Sequence, residues 1–155
     1  MIKRENMPLE NLQQLQFRNI MQEHILNTIE FLFEKNQEFG VACEIEFVEF
    51  NPQLPKDIGT TLPTITLFML ANYSFESASL DEEYLQFEAG FGTENFGSIV
   101  RIPILAIKQI FVEEYPILIN ITSPSEDREE EVDSMSALLN NPENARLLRI
   151  KRSDI

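Results

Sequence analysis

Few side chains in this sequence have the chemistry of a catalyst, and they lie far apart along the chain. His24 is the only histidine and Cys43 the only cysteine among 155 residues. Serine or cysteine catalysis needs a base beside the nucleophile, often on a sharp turn. Neither residue has such a setting, because His24 falls in a segment with helical spacing and Cys43 in an alternating one. We therefore predict a protein with no catalytic residues and no reaction of its own.

Two short patterns resemble ligand-binding motifs but lack the remaining parts of those motifs. Glu44, Glu46 and Glu49 carry carboxylates, which bind hard cations, yet they lie among apolar residues as the solvated side of a strand does. The Gly-Phe-Gly at residues 90–92 resembles a phosphate-binding loop. It lacks the Lys-Ser/Thr pair and the helix start that hold a phosphate. We predict neither a metal site nor a cofactor.

The chain is acidic, with 12 Lys and Arg against 26 Asp and Glu and a net charge of -14. Such a charge repels nucleic acids and anionic membranes, so neither is expected as a partner. With 43% hydrophobic residues, the chain can build the core of one ordinary domain. No apolar run approaches the roughly 18 residues of a membrane span, and residues 1–21 lack the pattern of a secretory leader. We expect a cytoplasmic protein.

Helices are the first elements that would position a site. Pro8 can open one helix, and a second or continuing helix is predicted over residues 19–36, where apolar residues recur at helical spacing. Ile20 and Phe31 widen this apolar stripe beyond one helix face. The surplus surface either suits a second copy of the chain or lies in a deep groove of its own domain.

Strands follow, because the apolar spacing changes from 3.6 to 2 after Phe39-Gly40, a pair typical of a helix end. We predict at least five strands, at residues 43–47, 64–71, 84–91, 99–102 and 117–121. Cys43 is expected to be buried in the first of them. Residues 51–63 are predicted to form a loop, and residues 103–111 a short helix or turn.

Two of the predicted strands have features that bear on binding. Residues 64–71 are apolar on both faces, which predicts a central strand that is covered on both sides. Ala89 and Gly90 are small neighbours within the alternating strand at residues 84–91. Either another backbone approaches closely at these two residues, or the strand bends there.

The chain ends in two segments of opposite charge. An acidic run at residues 126–133 precedes Ala-Arg-Leu-Leu-Arg-Ile-Lys-Arg at residues 145–152. Residues 124–136 contain no aromatic side chain and too little apolar surface to offset their ordering entropy. We predict a flexible acidic linker over residues 123–144 and a basic, aliphatic peptide over residues 145–155. This peptide either docks on another protein or forms a helix that folds back on its own domain.

Several motifs, taken in their order and spacing, resemble the stringent starvation protein B (SspB) adaptor family. One strand carries Phe-Glu-Ala-Gly-Phe-Gly at residues 87–92, and the next strand and turn carry Val-Arg-Ile-Pro-Ile-Leu-Ala at residues 100–106. The helix at residues 30–33 and the terminal Leu-Arg-Ile-Lys at residues 148–151 are also similar to the family. The resemblance covers about residues 23–121 and the terminus.

The resemblance implies an adaptor that binds ssrA-tagged polypeptides and delivers them to the ClpX unfoldase of the ClpXP protease. It implies an α+β domain over residues 1–122, with an N-terminal helical segment packed on a small, curved antiparallel sheet or partly open, Sm-like barrel. It also implies a homodimer, which the wide stripe on the N-terminal helix would hold together.

The residues that match the family's functional positions form two groups. The tag groove maps onto Ala71, Asn72, Tyr73, Phe87, Ala89, Gly90 and Phe91. The protease-docking peptide maps onto Leu147, Leu148, Arg149, Ile150 and Lys151. The sequence departs from the family at Gly90, where relatives often carry a basic residue, and in a longer loop at residues 93–98. The preferred tag sequence is therefore left open.

Two other classes of function fit parts of the sequence. An acidic inhibitor or immunity-type protein would mask a cationic partner, and the net charge of -14 is the feature that supports it. A holdase chaperone would use the Phe-rich strands. The tail distinguishes the classes, because a masking inhibitor needs no tethered basic peptide.

Overall fold

Residues 14–124 fold as helices packed on antiparallel sheets. The structure, a computed structural model, describes these residues; the helix predicted near Pro8, the acidic linker after residue 124 and the docking peptide lie outside them. The α+β prediction is confirmed. The elements are α1 (Leu15–Glu34), β1 (Phe39–Glu44), β2 (Glu49–Asn51), α2 (Lys56–Gly59), β3 (Ile65–Leu70), α3 (Tyr73–Glu76), β4 (Ser79–Leu80), β5 (Tyr84–Phe91), β6 (Phe96–Pro103), β7 (Ile107–Val112) and β8 (Tyr115–Ile119).

The strands form two four-stranded sheets. The first sheet has the strand order β3-β1-β7-β8, and the second has the order β2-β6-β5-β4. Neighbouring strands pair antiparallel throughout both sheets. The sheets do not close into a barrel, so the prediction of one curved sheet is corrected to two sheets with α1 packed on them.

The core lies between the inner faces of the two sheets and α1. β5 alternates as predicted, with Leu85 and Phe87 buried and Gln86 exposed. Phe68 of the first sheet packs against Phe87 of the second, with ring centroids 5.9 Å apart. The buried residues that α1 adds to this core are Ile25, Ile29 and Leu32. Each fully buried large side chain contributes about 1.5–3 kcal/mol, which makes these contacts the main source of stability.

The helix α1 begins and ends earlier than predicted. Asn36, with a φ of 53°, takes the left-handed conformation that commonly follows a helix end. Ile20 and Phe31 are 62% and 55% exposed, so the predicted surplus of apolar surface is confirmed. Near the start of α1, the buried Arg18 donates a hydrogen bond to the carbonyl of Pro124.

Gly40 lies inside β1, so the helix end predicted at Phe39-Gly40 is wrong. A Cβ atom on Gly40 would lie 2.6 Å from Sδ of Met69 on the neighbouring strand β3. Gly40 is therefore explained by the close approach of a side chain across the sheet. The strand β1 ends before the predicted one does, and Ile45–Phe47 forms a single 3-10 turn.

The strand β3 lies at an edge of the first sheet, which contradicts its predicted central position. Within the described residues it pairs with β1 alone. Phe68 and Leu70 are buried on its inner side, whereas Leu67 and Met69 are exposed on its outer side. The apolar residues on both faces of β3 therefore do not reflect burial of both faces.

The predicted turn at residues 103–111 contains a further strand. A 3-10 turn does occur at Ile104–Ala106, but Ile107 then starts β7. The strand β7 pairs with β1 and β8, so a pairing partner distant in sequence decides its conformation. Similarly, α2 lies within the segment predicted as a loop.

Candidate functional site

A cluster of phenylalanine rings lies where the edge strand β3 meets β2 and β5 of the second sheet. Phe50 packs against Phe91 and Phe68, with ring centroids 5.6 Å and 6.3 Å apart, respectively. Phe68 is buried, but Phe50 and Phe91 are only half-buried. The two half-buried rings therefore offer apolar surface close to a strand edge.

The turn after β3 carries three of the predicted site residues. The Ala71 N–H donates to Oγ of Ser74 at 2.9 Å, and the Asn72 N–H donates to Oε2 of Glu38 at 2.6 Å. Asn72 has a φ of 54° and a ψ of -121°, an uncommon backbone conformation for a residue other than glycine. These contacts fix the turn, and Tyr73 then begins α3 with its side chain exposed.

Tyr73 connects this turn to β5. Its hydroxyl donates a hydrogen bond to the carboxylate of Glu88, and the Glu88 N–H donates to Oγ of Ser77 at 2.9 Å. The hydrogen bond to Glu88 and the negative charge of that carboxylate raise the pKa of Tyr73, because both favour the neutral phenol. The structure thus brings the predicted segments at residues 71–73 and 87–91 together.

The predicted residues of β5 point to opposite sides of the strand. Ala89 and Phe91 are half-buried on the inner side, where Phe87 is 1% exposed. Phe87 therefore belongs to the core and supports the site from below, whereas Ala89 and Phe91 lie at the surface. We name Phe50, Ala71, Tyr73, Ala89 and Phe91 the β3–β5 site.

Gly90 faces the other side of β5, and the space beside it is filled. A Cβ atom on Gly90 would lie 1.7 Å from Oδ1 of Asn95, so the small residue accommodates that side chain. Gly92, with a φ of 73°, continues into the turn before β6. The loop predicted at residues 93–98 is therefore the tight turn of the β5–β6 hairpin and the start of β6.

A shallow depression of about 370 Å³ adjoins the turn after β3. Its lining consists of Asn36, Gln37, Glu38, Asn72, Phe75 and Glu76. Two carboxylates and three side-chain amides make this surface polar and acidic. Such a surface suits a ligand with backbone amides or a positive charge, and Phe75 is the one aromatic ring in its lining.

No family model and no curated protein matches this chain. The interpretation of the β3–β5 site therefore depends on its own geometry and on the resemblance carried by residues 87–92 and 100–106.

The residues with possible catalytic or metal-binding chemistry are not assembled into a site. His24 is exposed on α1, whereas Cys43 is buried in β1 as predicted, and burial raises the pKa of its thiol. Glu44 pairs with Nζ of Lys108 at 2.9 Å. Among residues 14–124, no group of three or more His, Cys, Asp or Glu is placed to hold a metal ion. No helix in this range is long and apolar enough to cross a membrane.

Two residues of the site region were missed by the sequence reasoning. Phe50 completes the ring cluster, and Glu88 accepts the hydrogen bond of Tyr73. The change of phase before Phe50 was a usable signal, because it places this ring on the opposite side from the preceding alternation. Glu88 carried no signal, since it occupies a normal solvent position of an alternating strand.

Proposed function

We propose that the chain is an adaptor whose folded domain binds ssrA-type degradation tags and whose C-terminal peptide docks on the ClpX unfoldase. Tagged proteins would in this way be delivered to the ClpXP protease, which places the adaptor in the cytoplasm. The observation that carries the proposal is the β3–β5 site, where half-buried rings lie beside a strand edge.

An extended peptide suits the chemistry of this site. Extended peptides bind proteins by adding to a free strand edge, and nearby pockets select their side chains. The strand β3 supplies the edge, and Phe50 and Phe91 supply apolar contacts. Ala89 is small enough to admit a peptide backbone. Tyr73 and Glu88 add a hydrogen-bonded polar pair on the opposite side of β5 from Ala89 and Phe91.

The C-terminal segments supply the second half of the proposal. A flexible linker of about 20 residues has a root-mean-square span of roughly 25 Å, so a docked tail keeps bound cargo close to the unfoldase. Two copies of the chain bring two tails, which raises the effective concentration without any new contact. The stripe with Ile20 and Phe31 on α1 is one candidate for the contact between copies.

Tag binding is tested with a fluorescent ssrA-type peptide and anisotropy. We expect Ala89→Gln to weaken binding at least tenfold, because the longer side chain occupies the space beside Phe91. Gly97→Gln is the matched control: a Cβ atom on Gly97 has no atom within 4 Å, and Gly97 lies on the neighbouring strand β6. Equal affinity of a folded Ala89→Gln variant and the native chain would remove β5 from the site.

Delivery is tested separately by the degradation of a tagged substrate by ClpXP at low substrate concentration. We expect a chain truncated after Asn144 to bind the tag normally but to lose the acceleration of degradation. The double variant Leu148→Asp and Ile150→Asp should behave in the same way. If truncation lowers the melting temperature by several degrees while delivery survives, the tail stabilises its own domain and does not dock.

The same binding assay also tests the acidic inhibitor. Native protein that binds no tag but binds a cationic protein would favour that function.

A further inference from the structure

The second half of β5 has an open edge. One side of β5 pairs with β6 along the whole strand. On the other side, β4 pairs only with the first half of β5, at Leu85 and Gln86. Within residues 14–124, no strand pairs with this side of β5 after residue 86. The open edge belongs to the β3–β5 site, because Ala89 and Phe91 lie along it.

The hydrogen bond between Glu88 and Ser77 shows which residues of β5 direct their backbone groups to this edge. In an antiparallel strand, the N–H and C=O groups of one residue point to the same side, and those of the next residue point to the opposite side. The Glu88 N–H donates to Oγ of Ser77, which lies between α3 and β4, so it points away from β6. Gly90 follows two residues later, and the register of β5 with β6 has no shift. The N–H and C=O of Gly90 therefore also point to the open edge.

Gly90 is the residue at which a peptide can join this edge. Extended peptides bind a free strand edge through main-chain hydrogen bonds. On one side of Gly90, Oγ of Ser77 already accepts the Glu88 N–H. On the other side, the Gly92 carbonyl accepts the Asn95 N–H within the hairpin turn. The open edge is therefore short, and a peptide residue opposite Gly90 can exchange both of its backbone hydrogen bonds there.

Pairing opposite Gly90 fixes where the side chains of the peptide lie. Directly opposite residues of paired strands have their side chains on the same face, and the next residues on the other face. The peptide residue opposite Gly90 therefore points to the outer side of β5, away from the core, where the neutral carboxamide of Asn95 and the carboxylate of Glu88 lie. Its two neighbours point to the inner side, toward Ala89 and Phe91.

Negative charge lies next to the outer position. The Glu88 carboxylate is held on this side of β5 by the hydroxyl of Tyr73. Glu94 lies in the hairpin turn. Two positions along a strand span roughly 7 Å, which is within the Debye length of about 10 Å at 0.1 M salt. A peptide residue with a negative charge opposite Gly90 would therefore be repelled.

The basic residues of the neighbouring elements do not offset this charge. Arg101 is the only basic residue among residues 84–103, and it stacks over Tyr84 at the other end of β5. On α2, the charge of Lys56 is followed directly by that of Asp57. Gly90 itself stands where members of the SspB family often carry a basic residue. The chain therefore lacks the cation that would favour an acidic tag at this position.

We propose that an extended tag exchanges backbone hydrogen bonds with Gly90, and that the tag residue opposite Gly90 is uncharged or basic and has an apolar residue on each side. This inference rests on the proposed function and adds the chemistry of the tag to it. The contact at Gly90 adds a second strand edge to the one that β3 supplies. The apolar neighbours meet Ala89 and Phe91, and the central residue meets Asn95 and Glu88.

The backbone contact is tested by hydrogen exchange of the full-length chain, followed by NMR with and without a saturating ssrA-type peptide. We expect the Gly90 amide to exchange at least tenfold more slowly when the peptide is bound. The Gln86 amide, which lies where β4 pairs with β5, is the internal control and should keep its rate. A peptide that fails to bind in the anisotropy assay overturns the proposed function and this inference with it. A peptide that binds without slowing exchange at Gly90 overturns only the contact at β5.

The charge preference is tested by anisotropy with two versions of the same peptide, one with its Asp and Glu residues intact and one with Asn and Gln in their place. We expect the neutral version to bind the native chain at least fivefold more tightly. Glu88→Gln, which keeps an acceptor for the Tyr73 hydroxyl, should reduce this difference to less than twofold. Glu82→Gln is the matched control, because it removes the same charge from the exposed turn before β5.

Two results would contradict the charge preference. Native protein that binds the acidic version as tightly as the neutral one would show that the position accepts a carboxylate. If Glu82→Gln reduces the difference as much as Glu88→Gln does, the net charge of the chain is the cause and Glu88 does not select the tag.

Discussion

The outer faces of the two sheets differ sharply in composition. On the first sheet, β3 and β8 expose aliphatic side chains such as Leu67 and Ile119. On the second sheet, Arg101 stacks over the ring of Tyr84 at 3.7 Å and lies 3.7 Å from Oε2 of Glu49. Both sheets bury their inner faces in the same core. The two outer faces therefore differ in what they present at the surface: charged and aromatic side chains on the second sheet, and aliphatic side chains on the first.

The largest expected effect separates the inner and outer faces. Phe87→Ala should lower the free energy of unfolding by about 3–5 kcal/mol, because it leaves a cavity in the core. Leu67→Ala, on the outer face of the first sheet, should change it by less than about 0.5 kcal/mol in dilute protein. Urea unfolding followed by circular dichroism measures both. A comparable loss at Leu67 in dilute protein would show that the outer face is covered within one copy.

A smaller effect is expected for the buried hydrogen bonds of Asn120, the residue that follows β8. Asn120 is buried; its Nδ2 donates to the carbonyls of Leu105 and Ile107 at 3.0 Å and 2.9 Å, and its Oδ1 accepts from the Thr122 N–H at 2.8 Å. Asn120→Ala leaves these buried groups without partners, so we expect a loss of about 3 kcal/mol. Thr122→Val, which removes one hydroxyl, should cost about 1 kcal/mol in the same assay. Equal losses for the two variants would mean that the hydrogen bonds of Asn120 stabilise the fold no more than the Thr122 hydroxyl does.

On the outer face of the second sheet, the expected loss of unfolding free energy is smaller again. Arg101→Ala removes a stacked, partly exposed guanidinium and should lower the free energy of unfolding by about 0.5–1 kcal/mol. Glu49→Gln removes only the exposed ion pair and should cost less than half of that. Thermal melts at low and high salt test the difference. If the Arg101 loss disappears entirely at high salt, ion pairing accounts for it and stacking on Tyr84 does not.

The smallest effect is expected at the turn between β4 and β5. Hydrogen bonds from the N–H groups of Glu83 and Tyr84 lower the pKa of Asp81 below 3.8. A lowered pKa in the folded state adds stability that is present above about pH 4 and is lost as the pH falls through the folded-state pKa. Asp81→Asn should therefore destabilise the protein slightly at pH 7 and not at pH 2. Melting temperatures of the native chain and the variant, measured between pH 2 and pH 7, test this expectation. If the variant melts lower by the same amount at both pH values, the charge of the Asp81 carboxylate is not the cause.

The sequence predicted best those elements whose burial is one-sided. The strand β5 was predicted with its observed bounds, Tyr84–Phe91, because the core covers one face and solvent the other. Cys43 was likewise placed correctly in the core. In such segments the spacing of apolar residues reports burial directly, without knowledge of the neighbouring strands.

The errors occur where a distant neighbour decides the structure. Apolar residues on both faces of β3 predicted a central strand, but β3 is an edge strand whose outer face is exposed. Gly40 resembled a helix end, whereas Met69, 29 positions later in the sequence, explains it. Sequence spacing carries no information about such long-range contacts.

The structure relates the residues that were predicted for the site to one another in different ways. Tyr73 and the segment with Ala89 meet in the structure through Glu88, and only the family resemblance had placed them together. Phe87 was included in the site although alternation alone assigns it to the core, where it is found. The sequence alone therefore predicts which side of β5 each residue faces. It does not predict that Tyr73 lies next to β5.

Arg18 and Pro124 hold the two ends of the described domain about one side chain apart. A domain with adjacent ends can be inserted into a surface loop of another protein without pulling either fold apart. Its chain can also be cut elsewhere and rejoined at these ends, and the turn closed by the hydrogen bond from Asn95 to Gly92 offers an exposed place for the cut. We therefore expect residues 15–124 to tolerate circular permutation, because adjacent ends allow the strands to keep their arrangement when their order along the chain is changed.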